Sequence, residues 1–323
     1  MAQVVHVKSA HKQSHDRQME ALRRALGVEI IHALEDLAVV EIMLNPDSWL
    51  WIDRLGSGME RIGSIDAIRA MSIVATVAGM LDTTISETRP ILECELPLDG
   101  SRFEALIPPL VERPTFALRK KALLVFTLDD YVAKDIMTDA QKTVIENAVQ
   151  SRHNILVAGG TGTGKTTLAN AILDCIAKVD HNHRIVIIED TRELQCNAQN
   201  TVFLRTSDGT NMTRLLRATM RLRPDRIVVG EVRDASALAL LKAWNTGHPG
   251  GIGTVHANDA SAALIRIGQL VQEAGVPPNP ELIAEAVNVV VSIKRTQTGR
   301  EVDEILAVTG WTAADGFLIK RLA

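Results

Sequence analysis

Ile155-Leu156-Val157-Ala158-Gly159-Gly160-Thr161-Gly162-Thr163-Gly164-Lys165-Thr166-Thr167 is the stretch on which the reading of this sequence turns. Four apolar residues run into the pattern G-x-x-x-x-G-K-[ST], and a helix-forming segment begins at Lys165, which is the strand, loop and helix setting that the pattern needs. The glycines let the loop wrap so that successive backbone N–H groups point to one place, and the helix adds the positive end of its dipole. A phosphate cradle is therefore expected. Gly159, Gly160, Thr161, Gly162, Thr163 and Gly164 supply the loop, Lys165 reaches the β- and γ-phosphates of a nucleotide, Thr166 places its hydroxyl on Mg²⁺ and Thr167 touches the α-phosphate. ATP and Mg²⁺ are the ligands this predicts.

Outward from the loop, strand-like apolar runs alternate with helical segments. The strands are expected at 155–158, 185–188, 227–229, 252–255 and 289–293, the last followed by weaker strands. The helices are expected from 165, near 212–222, and over 235–244, 260–273 and 280–287. Such alternation implies right-handed crossovers and a mostly parallel sheet with helices on its faces. Strands of that kind end together, and ligands bind at their carboxyl edge. One run ends in Glu189-Asp190 and another in Gly230-Glu231. Phosphoryl transfer needs acids there to hold the metal and align water, so Glu189 and Glu231 are candidates. His256 closes a further strand at the same edge. His248 lies eight residues before it across Pro249-Gly250-Gly251, a spacing with no metal-site logic.

Residues 1–18 are polar, with His6, Lys8, His11, Lys12, His15 and Arg17, and are expected to form a flexible arm. From Met19, the residues Leu22, Leu26, Ile30, Ala33 and Leu37 recur at helical spacing, with Arg23, Arg24 and Glu35 on the other face. Runs 39–44 and 49–54 flank the turn formers Asn45-Pro46-Asp47-Ser48 and predict a hairpin. A helix over 66–81 and strands over 91–96, 102–107 and 115–118 complete an α+β domain assigned to 19–126. A linker is placed at 127–138, ahead of a helix at 139–149, and the nucleotide-binding domain at 139–323.

Composition excludes several alternatives. A net charge of −4 and aromatics at 3% give neither a global basic footprint nor stacking platforms for nucleic acid, so no specific nucleic-acid binding is expected. Cys94, Cys175 and Cys196 form no Cys-x-x-Cys pair and are expected to be reduced thiols. The longest apolar segment, 70–81, is too short to span a bilayer, so any membrane association is peripheral.

Four motifs in order carry a resemblance. The P-loop, Ile187-Ile188-Glu189-Asp190 with Glu193-Leu194, Arg221-Leu222-Arg223-Pro224-Asp225-Arg226 leading to Gly230-Glu231-Val232-Arg233, and Gly247-His248 through Thr254-Val255-His256-Ala257-Asn258 resemble the Walker A, Asp box, atypical Walker B and His box of the type II/IV secretion ATPase superfamily. Asn45-Pro46-Asp47, Asp99-Gly100-Ser101-Arg102, Ile107-Pro108-Pro109 and Leu118-Arg119-Lys120 resemble its conjugative-transfer branch, the TrbB-like ATPases of type IV secretion. The likeness covers nearly the whole chain after residue 20.

The resemblance implies an α/β, RecA-like P-loop ATPase domain with a smaller α+β N-terminal domain. It implies a homo-hexameric, MgATP-hydrolysing motor, cytoplasmic and peripheral at the inner face of the inner membrane, working with inner-membrane components of a secretion or conjugation apparatus. Nucleotide would lie between the domains. By the same likeness Glu189 orients or deprotonates the attacking water, Glu231 supports Mg²⁺ through water, His248 and His256 sense the γ-phosphate, and Arg102 and Arg119 reach nucleotide from the N-terminal domain, with Arg113 a lesser candidate. Gly230 stands where an Asp is usual, which leaves the division of roles between Glu189 and Glu231 open, with Glu189 favoured as base. The rival readings are a pilus-retraction or type II secretion ATPase, a nucleic-acid motor, and a scaffold that binds ATP without turning it over.

Overall fold

The computed structural model describes residues 2–54, 57–121, 125–179, 181–207, 209–297 and 299–323, with side chains from residue 16 onward. The chain divides into two compact units, Met1–Leu123 and Leu124–Ala323.

In the first unit, helix α1 (Ala2–Glu35) is followed by strands β1 (Val39–Leu44), β2 (Trp49–Arg54) and β3 (Gly58–Ser64), helix α2 (Ala67–Met80), and strands β4 (Ile91–Glu95), β5 (Arg102–Leu106) and β6 (Thr115–Arg119). The six strands form one antiparallel sheet in the order β3-β2-β1-β6-β5-β4. Leu22, Leu26 and Ile30 of α1 and Ile73, Val74 and Val77 of α2 are buried in one cluster with Ile42, Ile52, Phe103 and Leu118 of the sheet. Each such burial is worth about 1.5–3 kcal/mol. The expected hairpin is present as β1 and β2, and Asp66 caps α2 by accepting the backbone N–H of Arg69.

Three local expectations are corrected. The backbone of residues 2–18 is helical where an arm was expected, as the start of α1; the side chains of His6, Lys8, His11, Lys12 and His15 lie outside the described residues. The helix breaks at Gly27, whose φ of 80° leaves the helical region. Arg69 from α2 fills the break, with its Nη2 donating to the Leu26 carbonyl at 3.1 Å, and a Cβ on residue 27 would lie 1.8 Å from that nitrogen. Leu37 falls beyond the helix end and is exposed rather than on the buried face.

The second unit opens with helices α3 (Leu128–Ala133) and α4 (Asp139–Gln150). Residues 127–138, expected as a linker, are therefore part of this unit. Thr127 and Asp130 form a capping box, and Leu128, Tyr131 and Met137 are buried in the unit's core. There follow β7 (Ile155–Gly159), α5 (Lys165–Val179), β8 (Ile185–Glu189), β9 (Thr201–Arg205), α6 (Met212–Thr219), β10 (Arg226–Val229), α7 (Ser236–Asn245), β11 (Ile252–His256), α8 (Ala260–Gln272), α9 (Pro280–Ala286), β12 (Val289–Arg295), β13 (Arg300–Thr312) and β14 (Gly316–Arg321). The sheet order is β14-β13-β12-β7-β11-β10-β8-β9. The six strands from β12 to β9 run parallel, while β13 and β14 are antiparallel additions. Every residue of β7, β8 and β10 is buried, as expected of a parallel sheet covered on both faces.

At the amino ends of the strands, the fully buried Arg226 donates to the carbonyls of Gly250 (3.0 Å) and Val149 (3.1 Å) and, through Nε, to His183 Nδ1 (3.2 Å). Arg152 donates to the Asp225 carbonyl (2.6 Å) beside it. Arg221-Leu222-Arg223-Pro224-Asp225-Arg226 thus ends in a structural clamp on the strand starts. Arg226→Met keeps the volume but leaves the buried Gly250 carbonyl without its donor, at about 1–3 kcal/mol, while the Val149 carbonyl keeps the backbone N–H of Arg152 at 3.2 Å. It should lower the stability of this unit by about 1–3 kcal/mol, measured as a fall in its urea midpoint at unchanged slope.

Candidate functional site

Parallel register brings the motif residues together. β7 hydrogen-bonds to β11 with Gly159 level with His256, and β11, β10 and β8 follow in that order, so Gly159, His256, Gly230-Glu231 and Glu189 finish side by side at the carboxyl edge. Residues 159–167 form one loop running into α5, with Gly162 (φ 68°) and Gly164 (φ 99°) in the left-handed region that folds the loop back on itself. Thr163 Oγ1 donates to the Gly160 carbonyl at 3.0 Å and closes the loop.

Lys165 is buried, and its Nζ donates to the Gly160 carbonyl at 2.8 Å and to His256 Nδ1 at 3.2 Å. An ammonium group has only donors, so Nδ1 is the acceptor and the ring proton sits on Nε2. Nε2 in turn lies 3.1 Å from Glu231 Oε1. Lys165, His256 and Glu231 thus form a chain from the phosphate loop to the end of β10. Thr254 Oγ1 donates to the Gly230 carbonyl at 2.6 Å, and the Gly230 N–H donates to Ile188 at 2.9 Å, which fixes the backbone that carries Glu231.

Glu189 is buried at 5% exposure, and its Oε1 accepts the backbone N–H groups of Glu193 (3.0 Å) and Leu194 (2.8 Å). Burial pushes its carboxyl above the ordinary carboxylate range, the two N–H groups pull against that, and the neighbouring Glu193 charge adds to the rise. Gly230 is the residue that makes room for it. A Cβ there would stand 2.8 Å from Glu189 Cγ and 3.0 Å from Oε1. The missing Walker B aspartate is thus sterically tied to the glutamate on the neighbouring strand.

Glu193 is a member of the site that the sequence reading quoted but did not assign. It accepts the Thr166 hydroxyl at 3.3 Å through Oε2. The buried Asn170 of α5 accepts the Gln195 N–H at 2.9 Å, which pins the loop after β8 onto the P-loop helix. Asp190 accepts Thr206 Oγ1 at 2.7 Å and pairs with Arg233, so the chain ends after β8 and β10 are joined by an ion pair. None of these partners is near in sequence, which is why periodicity and spacing do not find them.

His248 is not at this edge. It precedes β11 and hydrogen-bonds to the Ala243 carbonyl at 3.3 Å through Nδ1, while His256 closes the strand. The four steps of β11 alone put about 13 Å between its two ends, so His248 stands at the end of the strand away from the P-loop.

Arg102 and Arg119 belong to the first unit, where they are direct cross-strand partners between β5 and β6. Glu95 and Glu41 continue the same row on either side. Arg102 Nη2 lies 3.8 Å from Glu104. Arg113 Nη1 donates to Ser48 Oγ at 3.4 Å and borders an open polar pocket with Asn45, Pro46, Asp47 and Glu112.

Comparison with known proteins agrees with the motifs. The family model described as type II/IV secretion system protein matches residues 25–303. The chain is 52% identical over 295 residues to the probable conjugal transfer protein TrbB of Sinorhizobium fredii, covering 91% of each. It is 31% identical to the type IV secretion system protein VirB11 of Bartonella quintana, covering 84% of this chain and 89% of that one. Among solved structures, the ATPase DotB of Legionella pneumophila superposes with a TM-score of 0.61 at 20% identity, covering 86% and 79% of the two chains, a likeness of fold.

Two outcomes follow from this geometry. Gly230→Ala must displace the Glu189 side chain, so ATP turnover should fall at least about tenfold while ADP binding persists, with about 1–3 kcal/mol lost in stability. Glu193→Gln removes a negative charge that raises the Glu189 carboxyl. The acid limb of the kcat profile should therefore move to lower pH, which a pH titration of turnover in the two proteins will read.

Proposed function

This chain belongs to the type II/IV secretion system protein family, and on that premise we propose that it is the MgATP-hydrolysing motor of a conjugative type IV secretion apparatus. It works as a homo-hexamer, peripheral at the cytoplasmic face of the inner membrane and attached to inner-membrane components. Among the described residues no helix is long and apolar enough to cross a membrane. The observation that carries the reading is the convergence of the P-loop, His256, Glu231 and Glu189 on one sheet edge.

The residues fit nucleotide and Mg²⁺. The loop offers backbone N–H groups, the start of α5 and the buried Lys165 ammonium to phosphates. Thr166, and Glu231 through water, would hold Mg²⁺, with Glu193 beside Thr166 as a further hard oxygen donor. Among the described residues no cluster of three or more acid, histidine or cysteine ligands is preformed, which suits a cation that keeps waters and substrate phosphates as ligands. When bound, the cation neutralises charge on the transferring phosphoryl group.

Glu189 acts as the base, taking a proton from the water that attacks the γ-phosphate of ATP to give ADP and phosphate. Two features support that assignment: its carboxyl is raised by burial, and its Oε1 is fixed by two backbone donors. Glu231 is engaged with His256 and is better suited to orienting that ring and the metal water. His256 contacts Lys165, so a change at the γ-phosphate is passed along β11 and β10. Arg102 and Arg119 supply positive charge to nucleotide from the N-terminal domain.

Phosphate release by the purified protein, with its mass in solution measured alongside, tests the reading. Lys165→Ala should lose both nucleotide binding and turnover. Glu189→Gln should bind ATP and turn over at least about a hundredfold more slowly. Arg102→Ala and Arg119→Ala should cut turnover while ADP affinity survives. A monomer in which Glu189→Gln is as active as wild type would overturn both the base and the ring.

A further inference from the structure

Two arginines outside the four motifs reach the P-loop. Arg295, the last residue of β12, donates through Nε to the Gly162 carbonyl at 3.2 Å, and Arg300, the first residue of β13, donates to the same oxygen through Nη2 at 3.5 Å. The two are direct cross-strand partners in the β12–β13 ladder. Like charges placed opposite one another weaken a strand pair. Neither forms an ion pair with a carboxylate among the described residues, although Lys294 next to them takes both Glu301 (3.0 Å) and Asp303. The Arg300 chain also lies along the loop, its Cδ 3.3 Å from where a Cβ on Gly164 would stand.

The carbonyl they share belongs to the peptide group whose N–H is that of Thr163, inside the phosphate-binding run. A cation donating to a peptide oxygen polarises the group and strengthens the N–H at its other end as a donor. The amides of such a loop face phosphate and its carbonyls face away, so guanidinium groups on the carbonyl side act on phosphate through the loop. We propose that Arg295 and Arg300 are a positioning pair for the β-phosphate of a nucleoside di- or triphosphate, presetting the loop and the donor strength of its amides. This rests on the nucleotide-binding reading of the P-loop. The repulsion between the two side chains is offset by the shared carbonyl and, on binding, by the ligand's negative charge.

The pair governs affinity more than the chemical step. The test is ADP binding by titration calorimetry, with KM and kcat for ATP and the melting temperature measured on the same proteins. Arg295→Gln and Arg300→Gln should each weaken ADP binding about tenfold and raise KM in step, with a much smaller fall in kcat and an unchanged melting temperature. Arg300→Lys, which keeps charge and a donor, should recover most of the affinity. Arg300→Met, which keeps only the packing against the loop, should behave like Arg300→Gln. Wild-type affinity in Arg300→Met, or in both glutamine variants, overturns the pair while leaving nucleotide binding standing. A wild-type protein that binds no ADP overturns the reading beneath it as well.

Discussion

Parallel pairing among β7, β11, β10 and β8, buried between two layers of helices, is the interaction on which the site depends, because it makes four distant stretches of chain end at one edge. Both core clusters are built from apolar side chains. They set the register, and register puts Gly159 level with His256 and places the ends of β10 and β8 beyond them. A one-residue slip in a strand would turn its side chains to the other face, so the burial of β7, β8 and β10 on every residue is also what aims the acids. The clamp of Arg226 and Arg152 on the strand starts secures the opposite ends of the same strands.

Much of this was legible beforehand. A phosphate loop needs glycine, lysine and a hydroxyl at fixed spacing, and parallel strands need apolar runs that stop at a common edge, so both leave marks that one sequence carries. The N-terminal sheet was legible where turn formers bracketed alternating strands. The edge strands β3 and β9 were not, because an edge is half solvated and its pattern is diluted. The helical character of residues 2–18 was hidden by polar composition, and the break at Gly27 comes from a side chain on another helix.

Side-chain roles divide along the same line. Glu189, Glu231 and His256 stand at strand ends and Lys165 at the start of α5, so all four could be proposed from position alone. His248 shares a motif with His256 but stands at the opposite end of β11, because a motif counts residues along the chain and a strand carries them away from the site. Glu193, Arg295 and Arg300 depend on tertiary convergence. The arginines lie 133 and 138 residues from the glycine they contact, a separation that no local pattern spans.

The space between residues 189 and 230 has a consequence for how this ATPase can vary. There is room at that point for one acidic side chain, and it is supplied from β8 because β10 offers none. An aspartate restored at position 230 would compete with Glu189 for the same volume and add a second negative charge to it. The two positions therefore behave as a single locus distributed over neighbouring strands. A carboxylate passes from one strand to the other without crowding only if the first position shrinks as the second grows, so either exchange made alone crowds the acid or removes it.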